Sequence, residues 1–157
     1  MEQVAIRPLA GADLGEANNL LDRRLGGRQQ ARLGELVDVL SLPGLVAVQG
    51  NRLEGVLTYR SDADGCELVA VATATDRDGV GTRLVETMKT AGHVRIWLVT
   101  TNDKVDALRF YQRRGFRLIS LRPGGVEESR RVKPQIPRTG AYGIPLRDEL
   151  VLEWRPI

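Results

Sequence analysis

Glu67-Leu68-Val69-Ala70-Val71-Ala72, three residues, then Asp76-Arg77-Asp78-Gly79-Val80-Gly81-Thr82: the reading of this stretch decides the fold. The first run has the β-branched content and length of a strand. After the turn, apolar residues fall at Val80, Leu84, Val85, Met88 and Ala91, close to the 3.6-residue helical period. A glycine-bearing strand-to-helix turn lets backbone N–H groups approach a ligand closely. The first helical turn leaves its N–H groups unpaired at the positive end of the dipole, so the stretch is a seat for phosphate. A P-loop would continue Gly-Lys-Ser/Thr, whereas Gly81 is followed by Thr82-Arg83; a dinucleotide fingerprint would place a third glycine where Leu84 stands. Both nucleotide readings are weakened, and a plain tight turn is an equal reading of Gly79 and Gly81 taken alone.

The surrounding chain limits the ligand classes. At 157 residues it is expected to form one domain with a sizeable core. Its 42% hydrophobic and 27% charged residues are those of an ordinary soluble protein. Lys+Arg 23 against Asp+Glu 20 gives a net +3. The basic residues are mostly arginine and scattered, densest at Arg23-Arg24, Arg113-Arg114 and Arg130-Arg131, which disfavours nucleic acid as partner but suits a polyanionic cofactor. One cysteine, Cys66, excludes an internal disulfide and a multi-cysteine cluster, and one histidine, His93, argues against zinc. The start has no basic region followed by an apolar run, and no stretch approaches the ~18 apolar residues of a membrane span. A cytoplasmic, soluble protein without membrane contact is expected.

In order, Val4 to Arg7 reads as a strand stopped by Pro8. Leu14, Ala17, Leu20 and Leu21 mark a helix ended by Gly26-Gly27, and Leu33, Leu36, Val37 and Leu40 mark a second over about 29–40. Leu45 to Val48 and Leu53 to Tyr59 form a hairpin about Gly50-Asn51, and Cys66 to Ala72 makes a third antiparallel strand. Past the glycine turn come a helix from Gly79 to about Ala91 and an apolar strand from Val94 to Thr100, a βαβ unit whose strands should run parallel. Asp103 is placed to cap a helix carrying Val105, Leu108, Phe110 and Tyr111, stopped at Gly115; Phe116 to Leu121 is again a strand. The Gly- and Pro-rich stretch 122–147, with a short helix over about 126–132, is an excursion of the kind that carries function, and Glu149 to Trp154 closes the chain as a strand.

Two segments now carry a resemblance. Val71 to Leu84, with Gly79-Val80-Gly81, resembles the acetyl-CoA pyrophosphate loop of the GNAT superfamily of N-acetyltransferases. Ala107-Leu108-Arg109-Phe110-Tyr111 with Gly115-Phe116 is similar to that superfamily's second signature. The resemblance spans about residues 3–121 and the last strand. It implies a mixed α/β fold: a twisted, mostly antiparallel central sheet with a parallel splayed pair at the cofactor cleft, flanked by helices. It implies that Val69, Ala70 and Val71 meet the pantetheine arm, and that N–H groups across Arg77, Asp78, Gly79, Val80, Gly81 and Thr82 hold the diphosphate. Two positions depart from the pattern. Asp76 stands where Gln or Arg is usual, with Arg77 and Arg83 able to supply charge. Lys104 stands where asparagine is usual, with Asn102 two residues earlier; both are candidate cofactor contacts, although for Lys104 a side chain pointing to water is the favoured reading, charged surface lysines being common.

Acetyl transfer to an amine by direct attack needs a base for the amine proton, donors for an oxyanion and an acid for the departing thiolate. Tyr111, protonated at neutral pH, is the implied acid; the competing reading is a packed aromatic. Glu67, four residues before Val71 and so on its face of a regular strand, is the candidate base unless a bulge alters the facing. Cys66 reads as an apolar filler, His93 as a helix-end residue, and Trp97 and Trp154 as core. The resulting expectation is an acetyl-CoA-dependent N-acetyltransferase without metal, monomeric or homodimeric, acting on an amine of a small molecule or protein. The alternatives are a non-catalytic acyl-CoA-binding module, or transfer of another acyl group or to a hydroxyl.

Overall fold

The computed structural model describes residues 3–76 and 79–157. Its elements are β1 (Ala5–Pro8), α1 (Leu14–Leu25), β2 (Gln29–Arg32), β3 (Glu35–Asp38), β4 (Gly44–Gln49), β5 (Arg52–Asp62), β6 (Gly65–Thr73), α2 (Val80–Lys89), β7 (Ile96–Thr101), α3 (Val105–Arg113), β8 (Arg117–Arg122), α4 (Gly125–Val132) and β9 (Glu149–Trp154). The class is mixed α/β with mostly antiparallel strands, as expected. The chain divides into two compact units, residues 1–28 with 38–94, and residues 29–37 with 95–157.

In the first unit β1, β4, β5 and β6 follow one another in an antiparallel ladder. Both helices lay apolar stripes against it: Ala17, Leu20 and Leu21 of α1, and Val80, Leu84, Val85 and Met88 of α2, are all buried with Val46, Val56 and Leu57 of the strands. Gly55 on β5 permits the approach of α2. A Cβ there would lie 2.9 Å from Val80 Cγ1 and 3.0 Å from Leu84 Cδ1, closer than side chains pack.

Register fixes a feature of β6 that its sequence did not reveal. Thr58 pairs with Ala70 and Tyr59 with Leu68, which leaves Val69 without a partner on β5. This is a β-bulge, and it corrects the expected facing of Glu67. Counting through the bulge, Glu67 opposes Arg60 and shares the face of Thr58 and Ala70, while Val71 shares the face of Leu57 and Gly55 on which α2 packs.

In the second unit β9 pairs antiparallel with both β7 and β8, and Ile96, Leu98, Phe116, Val126, Leu146, Leu150 and Leu152 are buried. The expected helix over 29–40 is instead the hairpin β2–β3, whose turn holds Leu33 at φ 54 and Gly34 at φ 73, followed by a short 3-10 turn at Val39–Ser41. The helical spacing of Leu33, Leu36, Val37 and Leu40 is overridden by tertiary bonds. Leu33 N–H donates to the buried Glu149 carboxylate at 3.1 Å, and Gly34 N–H to Ser129 Oγ at 3.4 Å. Ser129 Oγ–H in turn donates to Glu149 Oε2 at 3.0 Å.

The excursion is ordered. α4 begins after Gly124 (φ 73), whose N–H donates to Asp148 Oδ1 at 2.9 Å. It carries Glu127 and Glu128 in its first turn and Arg130 and Arg131 in its last, the order its dipole favours. No helix among the described residues is long and apolar enough to cross a membrane.

Candidate functional site

The first set of expected residues lies on β6, the glycine turn and α2. Gly79 is the N-cap of α2 in the left-handed region, φ 69, and contributes no side chain over the helix end. The first turn of α2 contains no acid, and Arg83 N–H, donating to Gly79 O at 3.0 Å, begins the intrahelical bonds. Val80 is buried, while Gly81 and Thr82 are partly exposed on the helix's first turn. Arg77 and Asp78 lie outside the described residues. The Asp76 carboxylate accepts from the Arg24 guanidinium of α1. Arg83, expected to lend charge here, instead reaches back to the Val4 carbonyl.

Val69 and Val71 are half-buried and Ala70 is buried. Glu67 is 1% exposed, with Arg60 Nη2 3.3 Å from its Oε1. A buried carboxylate is retained where a cation and hydrogen bonds compensate its lost hydration. Cys66 is fully buried and burial pushes its thiol up, so it packs as a small hydrophobe. His93 does not cap α2, whose C-cap is Thr90; the imidazole meets Tyr59 edge-on at 6.1 Å.

The second set lies around α3. Tyr111 occupies the third position from the C-terminal end of the helix, and the signature's glycine and phenylalanine have a local physical explanation. Gly115, at φ 89, donates its N–H to Gln112 O at 3.2 Å, and Phe116 N–H donates to Tyr111 O at 3.1 Å, the two bonds of a Schellman stop. That stop places Phe116 edge-on to Tyr111, ring centroids 5.4 Å apart; Phe110 flanks it at 5.1 Å, with Arg114 over the Phe110 ring at 3.8 Å. Burial pushes the Tyr111 phenol well above the ordinary tyrosine range, and the hydroxyl makes no hydrogen bond among the described residues. A locked ring with a retained proton and a free hydroxyl can serve as an acid.

Asp103 does not cap α3, whose N-cap is Lys104 without a side-chain bond. Buried, it accepts from Thr101 Oγ1 at 2.5 Å and from Ala141 N–H at 2.9 Å, and a Cβ on Gly140 would stand 2.1 Å from its Oδ2. The Asn102 side chain is similarly occupied: its Oδ1 accepts from Arg147 N–H and Asp148 N–H, and its Nδ2 donates to Pro145 O. Tyr142 Oη donates to Asp106 Oδ2 at 2.5 Å. Thus the start of α3 grips the 140–148 segment, a role the sequence signalled only as an Asn-Asp pair. Lys104 is exposed. Trp97 and Trp154 are half-buried rather than core, with Arg95 5.7 Å from the Trp97 ring. No group of three His, Cys, Asp or Glu among the described residues is placed to hold a metal ion.

Comparison with known proteins adds three findings. A family model described as an acetyltransferase (GNAT) domain matches residues 43–118, from β4 through α3 into β8. The protein YdhI of Bacillus subtilis (strain 168) is 39% identical over 115 residues, 70% of this chain and 72% of that protein. Among solved structures, an IAA acetyltransferase from Bacillus cereus ATCC 14579 superposes with a TM-score of 0.71 at 22% identity, covering 98% of this chain and 100% of the other. A GNAT family acetyltransferase from Elizabethkingia anophelis with acetyl-CoA bound gives 0.70 at 18% identity, covering 98% of both chains.

Proposed function

Because the chain belongs to the GNAT acetyltransferase family, we propose that it transfers an acetyl group from acetyl-CoA to a primary amine by direct attack. The observation that carries this reading is the junction of β6 and α2: a strand with a bulged residue left out of its ladder, followed by a helix whose N-terminus has a glycine cap and no acid in its first turn. Such a helix end stabilises an anion by about 0.3–1 kcal/mol through the dipole alone, with charge-assisted N–H bonds adding to it. Diphosphate oxygens would be held by N–H groups across Arg77, Asp78, Gly79, Val80, Gly81 and Thr82. The pantetheine arm would be met by the main chain of Val69, Ala70 and Val71, where the bulge frees backbone polar groups from the β5 ladder.

Acetyl-CoA supplies an acyl group activated as a thioester. Around it the chain's own groups have distinct tasks. The bulge turns Glu67 to the face opposite Val71, where it is buried beside Arg60 Nη2 at 3.3 Å, so any base role it has would be exerted through an intervening water rather than by direct contact with the incoming ammonium. Tyr111 keeps its proton throughout the neutral range and donates it to the departing thiolate. Lys104, exposed at the start of α3, would meet a cofactor phosphate. Asn102 takes the positioning part described above rather than a cofactor contact.

The test is ligand-dependent stability. CoA at about one hundred times its Kd should stabilise the chain by ~2.7 kcal/mol and raise its Tm. Gly81→Val, which places a branched side chain where the diphosphate must meet the backbone, should remove that gain while leaving the Tm without CoA nearly unchanged. Equal protection of both proteins would count against the glycine turn as the cofactor seat.

A further inference from the structure

On the outer side of α4, Glu127, Arg130, Arg131, Pro134 and Arg138 line a surface groove of about 310 Å³. Three guanidiniums face one carboxylate, a local excess of two positive charges. The guanidiniums are not equivalent. Arg130 is nearly buried and structural: its Nη2 donates to Pro137 O at 2.7 Å and to Leu146 O at 2.9 Å, its Nε to Ile136 O at 3.3 Å, and it also pairs with Glu127. These bonds, with Pro134 and Pro137, hold the 134–138 segment against α4. Arg131 makes no hydrogen bond or ion pair among the described residues. Arg138 is largely exposed, its one ion pair a loose 3.6 Å contact with Glu127. The cofactor reading uses neither cation; the α4 dipole favours Arg131 at its last turn and Glu127 offsets part of the charge, but two of the three positive charges in the groove are left without a carboxylate of their own.

We infer that this groove binds a small dianion, a phosphate or a dicarboxylate, with Arg131 and Arg138 as the gripping forks and Arg130 as the fixed floor. Guanidinium forks match the paired oxygens of both groups, and a floor already fixed by three carbonyls loses little freedom on binding. Glu127 sets the strength of the site by cancelling part of its charge.

The experiment is a titration of inorganic phosphate, and separately of succinate, into the full chain at constant ionic strength, with and without saturating CoA. Heat and the arginine Nε–H NMR signals are followed. Saturable binding should persist with CoA bound, so this result and the cofactor reading fail independently. Arg131→Ala and Arg138→Ala should each weaken it about tenfold, the scale of one lost charge-assisted contact, and the double variant should abolish it. Glu127→Gln, which keeps an acceptor for Arg130, should tighten it several-fold. Absence of saturation in the CoA-saturated chain, unchanged binding in the double variant, or an equal loss in Arg109→Ala on α3 would overturn the site. Two sources of the anion are separated by transfer assays. If the acceptor carries it, Arg131→Ala raises KM for a carboxylate-bearing amine and not for a neutral one. If it is a free effector, added phosphate changes the rate with both amines alike; either pattern supports the groove.

Discussion

Tyr111 is held twice: by the Schellman stop that uses its carbonyl and by two aromatic rings set edge-on to it. Removing only its hydroxyl therefore leaves the packing intact. Tyr111→Phe should retain its Tm and CoA affinity but slow acetyl transfer by roughly 10- to 1000-fold, the scale of one positioned proton donor. A thioester with a better leaving group should restore much of the rate, and full activity with ordinary acetyl-CoA would make Tyr111 a packing residue. Asp13 supports a pH prediction. Its carboxylate accepts two bonds from the Arg7 guanidinium at 2.8 Å and one from Ala10 N–H at 2.8 Å, and the Arg7 bonds hold it below the usual carboxylate range. A depressed folded-state pKa gives stability that is complete above the unfolded value, about 3.9, and is lost as pH falls through the lower folded value. Asp13→Asn should thus be less stable than wild type at pH 7, with the gap closing as urea midpoints are measured from pH 5 downward. A gap that stays constant would remove the ion pair from the account.

At the scale of elements, what the sequence disclosed depended on whether local signals decided the outcome. Helix α2 and the α3 stop were legible because period and breaker agree within a few residues. The hairpin β2–β3 was not, because its turn is held by Glu149 and Ser129, more than ninety residues away in sequence, and nothing in the spacing of Leu33, Leu36 and Val37 reports them. The bulge at Val69 was equally hidden, being a property of register with β5 and not of β6 alone; it moved Glu67 to the other face. Likewise, the engagement of Asn102 and Asp103 by the 140–148 segment arises from a chain portion with no regular period. Gly55 gives the element-scale prediction. Gly55→Val must displace Val80 and Leu84, so it should cost about 1–3 kcal/mol by chemical denaturation and, by shifting the start of α2, weaken CoA binding as well. Loss of stability with CoA affinity intact would uncouple α2's seating from the cofactor.

For the whole molecule, the two signature segments occupy different compact units, one with β6 and α2, the other with α3. The family match from β4 into β8 draws on both, and the arginine groove of α4 lies outside that match. The acceptor is not given by that match. The most direct measurement is turnover: purified protein with acetyl-CoA and a panel of primary amines, neutral and carboxylate-bearing, following free CoA thiol and N-acetylated product together. The account predicts that at least one amine yields product and thiol in equal amounts, with the rate abolished by Gly81→Val and reduced in Tyr111→Phe. Tight CoA binding with no acetylated product from any amine would contradict it and leave a binding module in place of an enzyme.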